Sequence, residues 1–249
     1  MSSLNYYQVA GEASSKIGNH QGLLYLQKKA KHSKNTLDVG CGEGTRLDTL
    51  LPKTSLGVGI DISKKAIKLA KEQYSRHKFF HSKNRVLPFN NNSFDLVYTA
   101  FVLEHTKNPK KFINEMIRVL SPKGELVIIC PNYGAPNRRS PNSIENPIKK
   151  LIKGFINEFS IKNELSFTKV TPKDVYDQVD DDTTVEPYVL SLKKYLKSKG
   201  FKIIKCSSLW SLEPFSLNPR KILFTFLGKL GILPFKYWGP QIFIVARKK

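Results

Sequence analysis

The sequence predicts an α/β protein whose mostly parallel sheet carries helices on both faces. Three observations predict it. Short apolar strands alternate with amphipathic helices from Thr36 to Cys130. A glycine-rich turn at Gly40, Gly42 and Gly44 joins the first strand directly to a helix. After Pro131 the alternation gives way to a stretch rich in proline, Asn and Ser, as an insertion would. Parallel strands need crossover connections, and the alternation supplies a helix for each.

Each element has a local reason. Thr36–Gly40 is the first strand and Thr45–Leu51 the first helix of the core. Leu56–Asp61 is the second strand, after which Ser63 caps a helix through Tyr74 with Ala66, Ile67, Leu69 and Ala70 at near-helical spacing. Phe79–His81 and Phe94–Thr99 are the third and fourth strands. Asn108-Pro109 opens a helix whose apolar face is Phe112, Ile113, Met116, Ile117 and Leu120. Pro122–Gly124 is expected to turn the chain into a fifth strand, Glu125–Cys130. Residues 148–186 read as irregular with a helix at 148–159. Pro187–Ser198 reads as a helix stopped by Gly200, followed by strands at Phe201–Leu209 and Gln241–Arg247.

The 249 residues fit a single domain over 1–249: a helical N-terminal cover at 1–35, a ligand-binding half at 36–131, an insertion or lid at 132–186, and a C-terminal half at 187–249 with an amphipathic segment at 218–239. Cys41, Cys130 and Cys206 are far apart and fit no metal spacing, and Cys41 and Cys130, in apolar strand-like contexts, read as buried thiols of a reducing compartment. The N-terminus has no signal-peptide core, and no run reaches the roughly 18 apolar residues that span a bilayer. The expectation is a cytoplasmic protein. Lys and Arg number 41 against 20 acids, a net charge of +21. That favours nucleic acid, anionic lipid or a phosphorylated substrate as partner, or else a solvated lysine coat.

The glycine turn decides what is bound. A strand–glycine loop–helix unit usually holds a pyrophosphate. Here the third glycine comes one residue early, and Asp38 and Glu43 flank the loop. Carboxylates there would repel a phosphate by about a few kcal/mol at partly buried separations. A ligand with ribose and adenine but no phosphate, carrying an ammonium and a sulfonium, turns that repulsion into attraction. S-adenosylmethionine has those groups.

The blocks LDVGCGEG (37–44), GIDIS (59–63), LPFNNNSFDLVY (87–98), VLEHTKNP (102–109) and RVLSPKGELVI (118–128) resemble the class I S-adenosylmethionine-dependent methyltransferases, small-molecule (methyltransferase type 11-like) branch. Five blocks agree in order. The resemblance implies a Rossmann-like seven-stranded sheet with the last strand antiparallel. It also implies S-adenosyl-L-methionine as cofactor. Gly40, Gly42 and Gly44 would let the backbone approach it, beside Cys41. Asp38 would steer its amino group and Thr99 would line the site. Asp61 would accept both ribose hydroxyls or cap the next helix with Ser63, and Ile62 would pack on adenine. Relatives often place an acid after the third strand for the adenine amino group. That position is Lys83 here, so Asn84, or a backbone carbonyl there, is expected to substitute.

Methyl transfer to a hydroxyl needs a proton acceptor. His105, after the fourth strand, is the best candidate, the alternative being that Glu104-His105 only shapes the turn. Some relatives bind a metal with E-x-x-E-H, but Phe101 holds the first position, so no metal is expected. The acidic run Asp177, Asp180, Asp181 and Asp182 either serves the substrate, with Asp180 and Asp182 the catalytic candidates, or is a solvated loop. In 218–239 a stripe of Lys221, Thr225 and Lys229 beside Ile222, Leu223, Phe224, Phe226, Leu227 and Leu230 reads as a membrane-surface helix, or as a lid packed on this chain or a second subunit.

The expected activity is O-methylation of a small or lipid-linked metabolite. The C-terminal pattern of an acidic loop, then KGF, then YWGPQIFIVARKK is similar to methyltransferases of surface-glycan synthesis. A quinone or lipid acceptor is the alternative, and the charge keeps RNA methylation open. Against RNA, YTAF (98–101) is not an amine-methylating motif.

Overall fold

The protein is described by a computed structural model covering residues 17, 18, 20–82, 86–159, 164–173 and 180–249. The expectations for Lys83, Asn84 and Asp177, and residues 1–16 and 19 of the N-terminal cover, lie outside the described residues.

In chain order the elements are α1 (Gln21–Ala30), β1 (Thr36–Val39), α2 (Thr45–Leu50), β2 (Gly57–Asp61), α3 (Lys64–Gln73), β3 (Lys78–His81), β4 (Phe94–Ala100), a 3-10 turn (Leu103–His105), α4 (Pro109–Val119) and β5 (Leu120–Pro131). Then follow α5 (Pro147–Phe159), β6 (Phe167–Lys169), β7 (Val185–Pro187), α6 (Val189–Ser198), β8 (Lys202–Ser208), a 3-10 turn (Trp210–Leu212), α7 (Pro219–Lys229), a 3-10 turn (Phe235–Tyr237) and β9 (Gln241–Arg247). Seven strands form one mostly parallel sheet in the order β3-β2-β1-β4-β5-β9-β8, with the last strand antiparallel, and β6-β7 form a separate ribbon.

The chain divides into two compact units. The first holds Met1–Val102, Asn108–Val127 and Arg247–Lys249; the second holds Leu103–Lys107 and Ile128–Ala246. In the first, β1 pairs in parallel with β2 and with β4, Leu37 lying opposite Val58 and Val97. The strand order reverses between β1 and β4, so the crevice beyond their carboxyl ends is where such a sheet binds ligands. The caps formed as their residue types require: Ser63 Oγ accepts from the Ala66 N–H, and Asn108 accepts from the Lys111 N–H. Ile113, Met116 and Val119 of α4 are buried.

Two expectations about elements are corrected. Pro122–Gly124 does not separate helix from strand. β5 is extended from Leu120, because Lys123 and Gly124 exchange backbone hydrogen bonds with Lys248, and the bend is absorbed at Lys123, φ 63°. Pro187 is not helical, and residues 185–186 before it are not irregular but strand. Pro187 lies opposite Phe167 in the β6–β7 ribbon, and α6 starts at Val189. An antiparallel edge tolerates a proline, which lacks the N–H.

In the second unit, Ile128, Ile129 and Cys130 of β5 and Ile242–Ala246 of β9 are buried. Unbroken apolar runs are what strands covered on both faces require.

Candidate active site

In the first unit, β1 delivers Asp38 and ends in the glycine loop. Gly40, Gly42 and Gly44 all have positive φ (85°, 56° and 89°). A Cβ on Gly40 would lie 2.3 Å from Val102 Cγ2, whereas one on Gly42 would meet nothing within 4 Å. Gly40 is thus needed for packing, and Gly42 faces open space that a side chain would fill. The Gly42 N–H donates to Asp61 Oδ2 (3.0 Å) and the Ser63 N–H to Asp61 Oδ1 (2.8 Å). The Ile62 N–H bonds to this carboxylate as well, which leaves about one lone-pair site for a ligand hydroxyl. Asp61 therefore braces the glycine loop, while the helix cap belongs to Ser63. Burial raises the Asp61 carboxyl above its usual range, against the lowering effect of these backbone donors.

Asp38 is fully buried. Its Oδ2 accepts from Tyr98 OH (2.9 Å), and its Oδ1 has no partner. Burial pushes the carboxyl up to about 7, although Arg46 and the Tyr98 hydrogen bond pull it down. Glu43 is also buried, with an unpartnered Oε1. Ile62 is 64% exposed, as a platform for an aromatic ring must be. Cys41 is buried, and burial raises its thiol far above the ordinary value, so it packs rather than reacts. Thr99 is fully buried and donates to the Val39 carbonyl (2.9 Å), tying β4 to β1 instead of offering its O–H to a ligand. Tyr98 and Arg46 were not legible as site residues. Tyr98 looks like any core aromatic of a strand, and Arg46, over the Phe101 ring at 5.5 Å, looks like a surface helix residue.

In the second unit a polar cluster forms around His105. Its Nδ1 lies 2.9 Å from Asp182 Oδ1; its Nε2 lies 3.6 Å from Asp180 Oδ1 and 3.7 Å from Glu104 Oε1. Asp180, at φ 72°, accepts from Tyr133 OH (2.5 Å). The Glu104 carbonyl accepts from the Thr184 N–H (2.8 Å), which ties the 3-10 turn to the acidic loop. Glu104 is fully buried and neither of its carboxylate oxygens has a hydrogen-bond partner. Burial pushes its carboxyl up to about 7, opposed by His105. For His105, burial disfavours the imidazolium, but Asp182, Glu104 and Asp180 outweigh it and hold the pKa at about 9. The imidazole is therefore protonated at neutral pH, not neutral as its ordinary value would make it.

Asp181 does not join this cluster: it is buried and paired with Lys173 (2.7 Å). Glu104, His105 and Asp180 each offer a ligand atom within 4.8 Å of the others and could hold a metal ion. The incomplete E-x-x-E-H pattern does not reveal this set, because Asp180 lies 75 residues further along the chain than His105.

Comparison with known proteins agrees with the first unit's geometry. Residues 37–128 match the family described as methyltransferase domain. These residues are a class I S-adenosylmethionine-dependent methyltransferase domain. Norajmaline N-methyltransferase of Rauvolfia serpentina is 27% identical over 197 residues, 73% of this chain and 67% of that protein. Demethylmenaquinone methyltransferase of Renibacterium salmoninarum is 35% identical over 95 residues, 38% of this chain and 40% of that one. The chain thus spans between two fifths and two thirds of the length of these relatives. Among solved structures, a SAM-dependent methyltransferase of Aquifex aeolicus (TM-score 0.52, 16% identity, 91% of this chain and 89% of that one) shares the fold. So does the YcgJ protein of Bacillus subtilis (TM-score 0.57, 17% identity, 93% and 99%).

The methyltransferase domain's cofactor is S-adenosylmethionine, and this chain fits it: a buried Asp38 oxygen without a hydrogen-bond partner, an open cradle at Gly42 and an Asp61 carboxylate fixed by backbone donors at the end of β2.

Proposed function

We propose that this methyltransferase domain methylates a hydroxyl of a small or lipid-linked metabolite, such as a saccharide of surface-glycan synthesis. The observation that carries the reading is the half-buried His105–Asp182 pair beside the buried Glu104. Bound S-adenosylmethionine supplies an activated methyl group and a good leaving group. Asp38 and Glu43 hold its cationic end and Asp61 its ribose. A hydroxyl acceptor must give up its proton, and the cluster takes it. Neutral His105 is the base, kept in orientation by Asp182, and the imidazolium it becomes is stabilised by Glu104 and Asp180. A protein working from the cytoplasmic side of a membrane suits a lipid-linked acceptor. No described helix is long and apolar enough to cross one.

Two other acceptor classes have support. Similarity to a demethylmenaquinone methyltransferase favours a quinone, and the charge of +21 favours RNA. Incubation with methyl-labelled S-adenosylmethionine and a host extract separates them. Label in lipid or sugar supports the hydroxyl-metabolite reading, to be resolved from quinone by the mobility of the product. Label confined to RNA overturns it.

A further inference from the structure

Helix α5 is inside out. Ile148, Ile152 and Ile156, at i, i+4 and i+8, are 69%, 56% and 64% exposed, with Leu151 and Phe155 beside them. In a globular protein this stripe faces the core. Here the opposite face is buried instead, and it is polar. Lys150 is buried in an ion pair with Glu186, and Glu158 is buried and accepts from the Leu190 N–H. The backbone at Gly154 packs on Pro136, where a Cβ would lie 3.0 Å from Cα. Burying an ion pair while leaving isoleucines in water is unfavourable on both counts unless something apolar covers the stripe.

Helix α7 repeats the arrangement. It packs through Gly228, where a Cβ would lie 1.9 Å from Trp210 Nε1. Ile222, Leu223, Phe226 and Leu230 are more than half exposed. The two helices share one aromatic junction: Phe155 of α5 and Phe224 of α7 both meet Trp238 edge-on, with ring centroids 6.3 Å and 5.9 Å apart.

Charge selects what covers them. Residues 146–157 and 214–249 contain no Asp or Glu. Lys149, Arg220, Lys221 and Lys229 are exposed beside the apolar stripes. A second copy docked face to face would set these cations against one another. An anionic bilayer offers both an apolar interior and a negative surface.

We propose that α5 and α7 form one membrane-docking surface that lies on an anionic lipid bilayer, with both apolar stripes in the interface and the basic side chains on the headgroups. The surface goes beyond the methyl-transfer reading and does not depend on which acceptor is methylated.

The test is flotation of the full-length protein with vesicles of phosphatidylglycerol and phosphatidylcholine in equal amounts, against phosphatidylcholine alone. Wild type is expected to float with the mixed vesicles only and to be released by salt. Arg220→Glu with Lys221→Glu and Lys229→Glu should weaken binding at least about a hundredfold, taking roughly fivefold per basic side chain. Ile152→Glu alone and Phe226→Glu alone should each weaken it about tenfold or more, since each drives a charge into the interface. Unaltered far-ultraviolet dichroism and cofactor affinity show that these variants are folded. No flotation of wild type, or equal flotation with both vesicle types, overturns the proposal. So does a dimer in sedimentation that Ile152→Glu with Phe226→Glu converts to monomer. If Phe226→Glu abolishes binding and Ile152→Glu does nothing, the two-helix surface is wrong.

Discussion

His105 Nδ1 stands 2.9 Å from Asp182 Oδ1, and three carboxylates hold this imidazole protonated up to about pH 9. Methyl transfer to a hydroxyl should therefore accelerate as pH rises from 7 toward 9, as His105 loses its proton. Asp182→Asn removes a raising influence, so the rising limb should move to lower pH while the maximal rate falls about tenfold to a thousandfold with the loss of orientation. A pH–rate profile of wild type and variant decides it; a limb that stays in place removes Asp182 from the base. The same shift bears on folding. A pKa raised from 6.5 to about 9 contributes stability fully present below about pH 6.5 and lost as pH rises through about 9.

Asp38 gives a second pH effect with the opposite use. Its carboxyl, pushed up to about 7, attracts the cofactor's cationic end only when ionised. Affinity for S-adenosylmethionine should strengthen as pH rises through about 7. Calorimetric titration at several pH values checks this, and Asp38→Asn should flatten the dependence.

The glycines separate packing from binding. Gly40→Ala drives a Cβ into Val102 at positive φ and should cost about 2–4 kcal/mol in urea unfolding. Gly42→Ala meets no neighbour, so it should cost only about 1–2 kcal/mol, yet it fills the cradle and should weaken cofactor binding more than tenfold. Equal effects of the two on binding and stability would contradict the assignment.

Asp61→Ala leaves the Gly42 and Ser63 N–H groups without their acceptor as well as removing the ribose contact. Cofactor affinity should fall by about 2–4 kcal/mol, and Asp61→Asn, which keeps one acceptor oxygen, should recover part of it. Parallel calorimetry on both variants reads the difference.

Lys150 and Glu186 are buried together, so Glu186→Ala or Lys150→Ala alone strands a charge and should destabilise by about 3–5 kcal/mol. Lys150→Met with Glu186→Leu should cost much less, apart from the Ser140 N–H that Glu186 also accepts. Additive single effects in denaturant titrations would argue against the pair.

The cofactor half was legible because its chemistry is local. Gly40, Gly42 and Asp61 act within one strand–loop–helix unit, and caps such as Ser63 and Asn108 announce themselves within three residues. The His105 cluster was half legible. His105 and Asp182 could each be singled out by type, but nothing in the spacing says that residue 104 meets residue 180. Long-range meetings depend on the path of the intervening chain. The β6–β7 ribbon escaped notice because strands three residues long carry too little alternation to read. The orientation of α5 was hidden for a different reason: an apolar stripe at helical spacing looks the same whether it faces inward or outward.

The acids around the glycine loop also bear on turnover. Asp38, Glu43 and Asp61 gather there against the single nearby guanidinium of Arg46. Donating its methyl turns the cofactor's sulfonium into a neutral thioether, so the spent molecule carries one positive charge fewer than the fresh one. A negative cradle holds the two unequally and lets go of the product more readily. Carboxylates that line a cofactor site in this way would ease product inhibition, most strongly at low ionic strength, where the affinity ratio of fresh to spent cofactor is widest.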